Sequence, residues 1–317
     1  MAIVRWLHFS DLHLNSEGVE TERLRDALPK YLAKNVQQCD YVFCTGDIRQ
    51  APANFAENSS EYIQSLCTAV QVSIENLFIV PGNHDVNRSL PERVSAIEEM
   101  CRAYRSRDGQ IESGALEAIH KGQEDFRKVL ANIYAGIPER VAYYESPLMP
   151  HFVVQTEHFN ILHVDTTVSY TEKRESNLIL GTWPLSRAIK TLDKAKPTIL
   201  LTHYAIGSLS QDEKSEVSNL LRDHNITLWL AGHEHTHQLM PFGYLTSIQA
   251  GELKFEERAH ATVLVGEYDT DTGKGAIEAH TWFQEGWAKY PRLWRGYSDE
   301  YAELDKFPFV SGFREPA

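Results

Sequence analysis

The feature that most constrains this chain is an event repeated five times: a short apolar run stops abruptly at residues that bind metals or move protons. Residues 3–9 run into Ser10-Asp11-Leu12-His13, 41–44 into Gly46-Asp47, and 77–80 into Pro81-Gly82-Asn83-His84-Asp85. Farther on, 198–201 lead to Thr202-His203-Tyr204, and 226–230 to Ala231-Gly232-His233-Glu234-His235. Short β-branched, apolar runs bounded by turn formers read as buried strands. Between the first three lie helical stretches at 20–36, where Leu24, Leu28, Leu32 and Val36 fall four apart despite Pro29, and at 60–72. Strand, helix, strand, helix, strand is the order of an α/β fold, whose ligands sit beyond the carboxyl ends of the strands.

Residues 90–135 break this pattern. They are charged, helix-prone and free of strand runs, and read as a hairpin-like helical insertion that caps the preceding polar loop or buttresses it. The second half returns to strands at 152–154 and 159–164, helices at 183–194 and 211–223, and strands at 244–249, 261–268 and 276–283, the last two joined by a turn at 269–275. No repeat or linker interrupts the chain. The expectation is one domain over 1–285, with an aromatic-rich tail at 286–317 (Trp287, Tyr290, Trp294, Tyr297) packed on it.

Asp11/His13 and His233/His235 are spaced two apart, so on extended backbone both members of each pair point the same way. Together the five segments supply carboxylates, imidazoles and one amide, a donor mixture suited to manganese, iron or zinc. Phosphoester hydrolysis needs a nucleophile at neutral pH and a place for charge to gather on phosphoryl oxygens. Two metals about 3.5–4 Å apart meet both needs by sharing a hydroxide and clamping the phosphoryl group, and one aspartate can bridge them. A single histidine at a strand end is an ordinary satisfied polar residue; the ordered set is harder to explain that way.

The order D-x-H, G-D, G-N-H-D, H, G-H-x-H resembles the calcineurin-like metallophosphoesterases and runs from residue 11 to 235. The resemblance implies a four-layer α/β/β/α sandwich of two mixed sheets. It implies two divalent ions, manganese ahead of iron or zinc: one held by Asp11, His13 and His235, the other by Asn83, His203 and His233, with Asp47 bridging. His84 would stabilise the transition state and protonate the leaving group, and Asp85 would orient His84 by a hydrogen bond. The sequence has Gly46-Asp47-Ile48-Arg49-Gln50 and Gly-Asn-His-Asp where the protein serine/threonine phosphatases carry G-D-x-x-D-R-G and G-N-H-E. Residues 9–14 and 80–85 are similar to bacterial class III cyclic-nucleotide phosphodiesterases, and Val86-Asn87-Arg88 resembles metallophosphoesterase domains of bacterial signalling and defence modules. Gly232-His233-Glu234-His235 is also similar to SbcCD-type exonucleases, which usually place a histidine where Arg49-Gln50 stand here. The expected function is hydrolysis of a nucleotide or similar phosphodiester. A DNA or RNA nuclease with the same two-metal chemistry is the alternative. A non-enzymatic binding module comes third, because every ligand position is filled.

Around this set, Arg49 and Arg88 lie within reach of a phosphate, Tyr204 follows His203 as a pocket wall, and His237 continues the alternation from His235. Asp165 ends a strand near the site, while His8 and His163 read as structural. A formal net charge of −13 disfavours broad binding to nucleic acid. Cys39, Cys44, Cys67 and Cys101 form no C-x-x-C pair and are expected as buried free thiols. Residues 1–6 read as a strand rather than a signal peptide, and no apolar run approaches the ~20 residues of a membrane span. These features lead to the expectation of a cytoplasmic chain without membrane contact, with oligomeric state and protein partners left open.

Overall fold

The computed structural model describes residues 3–51, 53–105, 113–146, 149–256, 261–272, 274–283, 286–289 and 302–304. Strands β1 (Ile3–Phe9), β2 (Tyr41–Cys44) and β3 (Leu77–Ile79) pair in parallel, with α1 (Val19–Asn35) and α2 (Ser59–Ala69) as the crossovers. Antiparallel β10 (Thr262–Asp269) and β11 (Gly275–Phe283) join β1 from the other side, and β12 (Gly286–Lys289) and β13 (Ala302–Leu304) both pair with β11. The second sheet runs β4 (His151–Gln155), β5 (Asn160–Val164), β6 (Thr198–Leu201), β7 (Leu228–Ala231), β9 (Leu245–Gln249), β8 (Gln238–Phe242). It too is mixed, parallel from β5 to β9 with antiparallel strands at both edges.

Period-two alternation sorts the strand residues into layers. Val4, Trp6, Tyr41 and Phe43 turn inward to meet Ile161, Ile199, Leu201, Leu228 and Leu230 of the other sheet, forming the central core. Leu7, Phe9, Val42 and Cys44 turn outward onto Leu24, Leu28 and Leu32 of α1 and Ile63 and Leu66 of α2. On the far side, Leu162, Leu200 and Trp229 pack against α7 (Thr182–Ile189) and α8 (Gln211–Asp223). The result is the expected α/β/β/α sandwich of two mixed sheets. Pro29 sits inside α1 without ending it. A proline cannot donate to the carbonyl four residues back, and here that carbonyl, of Arg25, accepts instead from the Tyr62 hydroxyl at 3.3 Å.

The insertion is helical, with a division of labour. The helices α3 (Pro91–Arg105) and α4 (Ser113–Lys121) form a small core of their own around Ile97, Met100 and Ile119. The stripe Phe126, Val129, Leu130 and Ile133 of α5 (Glu124–Ile133) joins the outer layer of the first sheet instead, and the short α6 (Pro138–Ala142) follows it. The hairpin also braces two polar loops: Asn87 N donates to Gly122 O at 2.7 Å, and buried Arg93 donates to Thr167 O (2.7 Å) and Tyr170 O (2.9 Å). These are the bonds of a buttress.

Smaller differences have local causes. The expected helix at 183–194 stops at Ile189, where the chain bends through Asp193, whose amide is held by Asn160 Oδ1. Strand β12 continues β11, and buried Trp287 donates to Leu24 O at 2.7 Å. Tyr290, Trp294 and Tyr297 lie outside the described residues. The four cysteines are free and buried. Among the described residues no helix is long and apolar enough to cross a membrane.

His163 occupies the central layer, stacked on Phe152 at 4.4 Å between ring centroids, with Nε2 unpartnered. Burial, helped by nearby Arg140, pulls its pKa from 6.5 down to about 3. Because the folded value lies below the unfolded one, its contribution to stability is intact above pH 6.5 and is lost as pH falls from 6.5 toward 3. The loss is about 1.4 kcal/mol per pH unit. A His163→Phe variant is therefore expected to unfold at lower pH than wild type, followed by circular dichroism. Coincident acid limbs would show that the ring is not held neutral.

Candidate metal centre

The polar loops leave the strand ends through backbone that L-residues avoid. Among the described residues, seven non-glycine positions have positive φ, and five of them are Asp11 (53°), His13 (44°), Asp47 (54°), His233 (74°) and His235 (57°). Each such residue costs roughly 1–2 kcal/mol, and clusters of this kind mark functional sites. This corrects the extended-backbone expectation: the pairs Asp11/His13 and His233/His235 converge because each residue turns left-handed, not because a strand continues.

Three devices hold the loops in place. Arg25 of α1 is 6% exposed and donates to the carbonyls of Leu12 (2.6 Å), His13 (2.8 Å), Leu14 (3.2 Å) and Leu253 (3.1 Å). The first two loops are stitched together by Asp11 N→Gly46 O, His13 N→Asp47 O and Leu14 N→Ile48 O, at 2.9–3.0 Å. Close approach needs glycine at two points: a Cβ on Gly82 would collide with Asp47, and one on Gly232 with Ser10 and Asp11.

The side chains then meet at the ends of both sheets. Each aspartate gives one oxygen to a backbone amide and leaves the other facing the imidazoles. Asp11 Oδ2 accepts from His233 N (3.0 Å), and Oδ1 stands 3.4 Å from His235 Nε2 and 3.9 Å from His13 Nε2. Asp47 Oδ1 accepts from His84 N (2.8 Å), and Oδ2 stands 3.3 Å from His203 Nε2. The His203 Nε2 is also 3.0 Å from Asn83 Oδ1, and His13 Nε2 is 3.5 Å from His235 Nε2. Asp11 Oδ1 is buried without a hydrogen-bond partner. The opposite nitrogens of two rings are tied outward, His13 Nδ1 to Arg49 O (3.2 Å) and His203 Nδ1 to Thr45 O (2.7 Å), while His235 Nδ1 stands 3.2 Å from Glu252 Oε2 as an ion pair. An Nδ1–H pinned outward leaves an Nε2 lone pair pointing in, as metal-bound histidines require.

Among the described residues three triads have ligand atoms within 4.8 Å of one another: Asp11/His13/His235, Asp11/Asp47/His203 and, behind His235, His235/Glu252/Glu256. An orphaned carboxylate oxygen and imidazole nitrogens packed face to face are what a pair of dications would satisfy, so the donor set fits two metals. His233 stands at the margin, its ring 5.3 Å from that of His203 and 4.0 Å from Tyr204, with Nε2 3.7 Å from Glu175 Oε1.

Electrostatics agree. Burial alone would raise the pKa of Asp11 and Asp47, yet the facing His235 and His203 hold both below the ordinary carboxylate range. The Asp11 contact, against burial, lifts His235 to about 9; burial opposes a charge on His203, but Asp47 lifts it to about 9. Without a metal, the facing carboxylates thus favour the protonated forms of His203 and His235. Burial lowers His13, and takes His84 and His233 down to about 4.

His84 is half-buried beside His13, with ring centroids 5.1 Å apart. The Ala51 amide donates to its Nδ1 at 3.0 Å, which places the proton of the neutral ring on Nε2. Asp85 does not orient it. Its carboxylate accepts from Ile48 N (2.9 Å), Arg49 N (3.3 Å) and Gly82 N (2.9 Å), so it braces two loops and Ala51 takes the orienting role. Arg49 is no phosphate contact either: it is buried, donates to His84 O at 2.7 Å, and lies over the Phe55 ring. Tyr204 is fully buried beneath His233, which makes it a support. Arg88 reaches the rim, 3.4 Å from Tyr170 Oη and 3.5 Å from Glu172. His237 is half-buried. Asp165 is bonded to Gln123 and Thr167 and belongs to the brace.

Sequence reasoning missed Arg25, Tyr170, Glu175 and Glu252. Only Glu252 had a signal: it follows a strand and a glycine, as Asp47 and His233 do. A cavity of about 490 Å³ opens elsewhere, between α4, α5, β4 and α7, with Ile119, Phe126, Phe152 and Trp183 in its wall. None of the convergent donors lines it, so the chemistry and this apolar space are separate.

A family model described as calcineurin-like phosphoesterase matches residues 4–237, which include every donor from Asp11 to His235. An uncharacterized metallophosphoesterase-like protein of Bacillus subtilis, YydB, is 25% identical over 302 residues, 89% of this chain and 60% of that protein. A probable cyclic nucleotide phosphodiesterase of Coxiella burnetii is 32% identical over 106 residues, 31% of this chain and 40% of that protein. The chain therefore spans 60% or less of the length of these relatives. Among solved structures, Vacuolar Protein Sorting 29 of Cryptosporidium parvum aligns with a TM-score of 0.44 at 13% identity, over 96% of this chain and 99% of that one.

Protons on His203 and His235 must leave before those rings can take a metal. Metal affinity is therefore expected to fall as pH drops below about 9, with about two protons released at pH 7.5 when both ions bind. Calorimetry in two buffers of different ionisation enthalpy reads this number directly. No net proton release would contradict the pairing described above.

Proposed function

The chain belongs to the calcineurin-like phosphoesterase family, and from that premise we propose that it is a two-metal phosphodiesterase acting on a nucleotide or similar small diester. The observation that carries the reading is the convergence of Asp11, His13, Asp47, Asn83, His203 and His235 at the ends of both sheets, with no donor position lost. In this reading Asp11, His13 and His235 would hold one divalent ion and Asn83, His203 and His233 the other, with Asp47 shared by both. Manganese is the first choice, ahead of iron or zinc. When bound, the ions supply Lewis acidity for the phosphoryl oxygens and make water a competent nucleophile at neutral pH.

The protein's own part is positioning and charge. The Nε2–H of His84, aimed by Ala51, donates to a phosphoryl or leaving-group oxygen. Its low pKa makes it a hydrogen-bond donor in the neutral form. Arg88 approaches the rim with Tyr170, whose hydroxyl lies 3.5 Å from Asn83 Nδ2. Glu172 and Glu175 stand beside Arg88 and His233, so this part of the rim is poorly suited to a long polyanion, which wants a basic groove. That favours the small diester over the nuclease reading, and the partial match to a probable cyclic nucleotide phosphodiesterase supports the same choice.

The test is Mn²⁺-dependent hydrolysis of an aryl phosphodiester, cyclic nucleotides and end-labelled DNA. Wild type is expected to cleave the small diesters, Asp47→Asn to lose a metal and all turnover, and His84→Ala to keep its metals while kcat falls about 10²–10³-fold. Preferential cleavage of DNA would move the assignment to a nuclease. A large loss of metal in His84→Ala would overturn the role given to that residue.

A further inference from the structure

We infer that Glu252 is a positioning residue of the metal centre: it fixes the His235 ring from behind and makes the Asp11–His13–His235 subsite the tighter of the two. The inference rests on the two-metal reading above and asks which half of the centre holds its ion more firmly.

Glu252 is fully buried, and among the described residues neither of its oxygens has a hydrogen-bond partner. Its ion-pair neighbour among the described residues is His235 Nδ1, 3.2 Å from Oε2. A carboxylate removed from water without donors requires a nearby positive charge. Glu256 does not make this corner a separate cation site, because it is exposed and already paired with Lys254 at 3.0 Å. In the two-metal reading that charge would be the ion held by His235 Nε2, across the ring from Glu252.

The backbone around Glu252 is hooked to the ligands it would serve. Its amide donates to His235 O at 3.3 Å, and the next amide, of Leu253, donates to Asp11 O at 2.9 Å. Arg25, which holds the Asp11–His13 loop, also donates to Leu253 O at 3.1 Å. The side chain therefore returns onto a histidine whose own main chain anchors it.

The other imidazoles set the comparison. His13 and His203 rest their Nδ1 atoms on neutral carbonyls, of Arg49 and Thr45, whereas His235 rests on a carboxylate. A carboxylate behind an imidazole raises its basicity as a ligand. Charge counting runs the same way. Two divalent ions would bring four positive charges, and Asp11 and Asp47 return two negative ones; an ion on His235 would favour the charged form of Glu252, which would add a third on that side. The opposite subsite has the neutral amide of Asn83. Glu252 also lies beyond residues 4–237, the span matched by the family model.

The experiment is stepwise titration of the metal-free chain with Mn²⁺ and Zn²⁺ against a competing chelator, for wild type, Glu252→Gln and Glu252→Leu. Each is repeated in a His203→Ala background that leaves only the Asp11 subsite intact. Wild type is expected to bind in two steps. Glu252→Gln should weaken the tighter step about 10–100-fold and leave the weaker one unchanged, and the single step left in His203→Ala should be the one that responds. Glu252→Leu should lose more. If the leucine variant does not fold, the isosteric glutamine variant decides. Unchanged steps, or a loss shared equally by both, would overturn the inference while leaving the two-metal reading intact. A wild-type chain that takes up no metal would overturn that reading and this inference together.

Discussion

Five of the side chains at the centre project from left-handed backbone, and much of the surrounding structure serves to hold them there. A chain left to itself would relax out of these conformations, since each costs on the order of a kcal/mol. The sandwich prevents this by ending each strand in a loop that is already spoken for. Arg25 gathers five carbonyls from two segments, and the Asp85 carboxylate ties the Asp47 loop to the Gly82 loop. Stability stored in the sheets and helices is thereby converted into precision at the strand ends.

The same economy of groups appears in the electrostatics. Both aspartates are divided, one oxygen spent on a backbone amide and the other kept for the centre. The histidines are divided too, with Nδ1 turned outward in His13 and His203. Such sharing explains why the motifs tolerate little spacing change: each short segment supplies a ligand and also the amide or carbonyl that aligns the ligand of another. It also explains why Asp47 and Asp11 raise the pKa of the facing His203 and His235 against their burial.

Much of this was legible in the sequence, and the part that was not has a common cause. Strand ends followed by metal-binding residues are local signals, so the α/β order and the donors were readable from the motifs. Partnerships between distant segments are not local. Asp85 lies next to His84 in the chain, which suggested a bond between them, but its carboxylate turns to amides 36 and 37 residues away. Arg49 follows Asp47 by two residues, yet its guanidinium folds back onto the main chain of His84. Extended backbone was assumed for the paired ligands because spacing carries no record of φ. The edge strand β8 was missed because Gln238–Phe242 includes Pro241 and alternates weakly, and proline in a strand is an edge feature.

The donors come from both sheets. Asp11, His13, Asp47 and Asn83 follow strands of one, and His203, His233 and His235 follow strands of the other, while the layer between them is apolar packing without a shared backbone ladder. The centre therefore acts as a vernier for the sandwich. A sideways slip of one sheet over the other by a fraction of an ångström, too small to disturb either ladder, would open the Asp47–His203 and Asp11–His235 gaps directly. Residues such as Phe43 and Leu230, remote from any ligand, then set the calibration of the site through the thickness and alignment of the layer they fill.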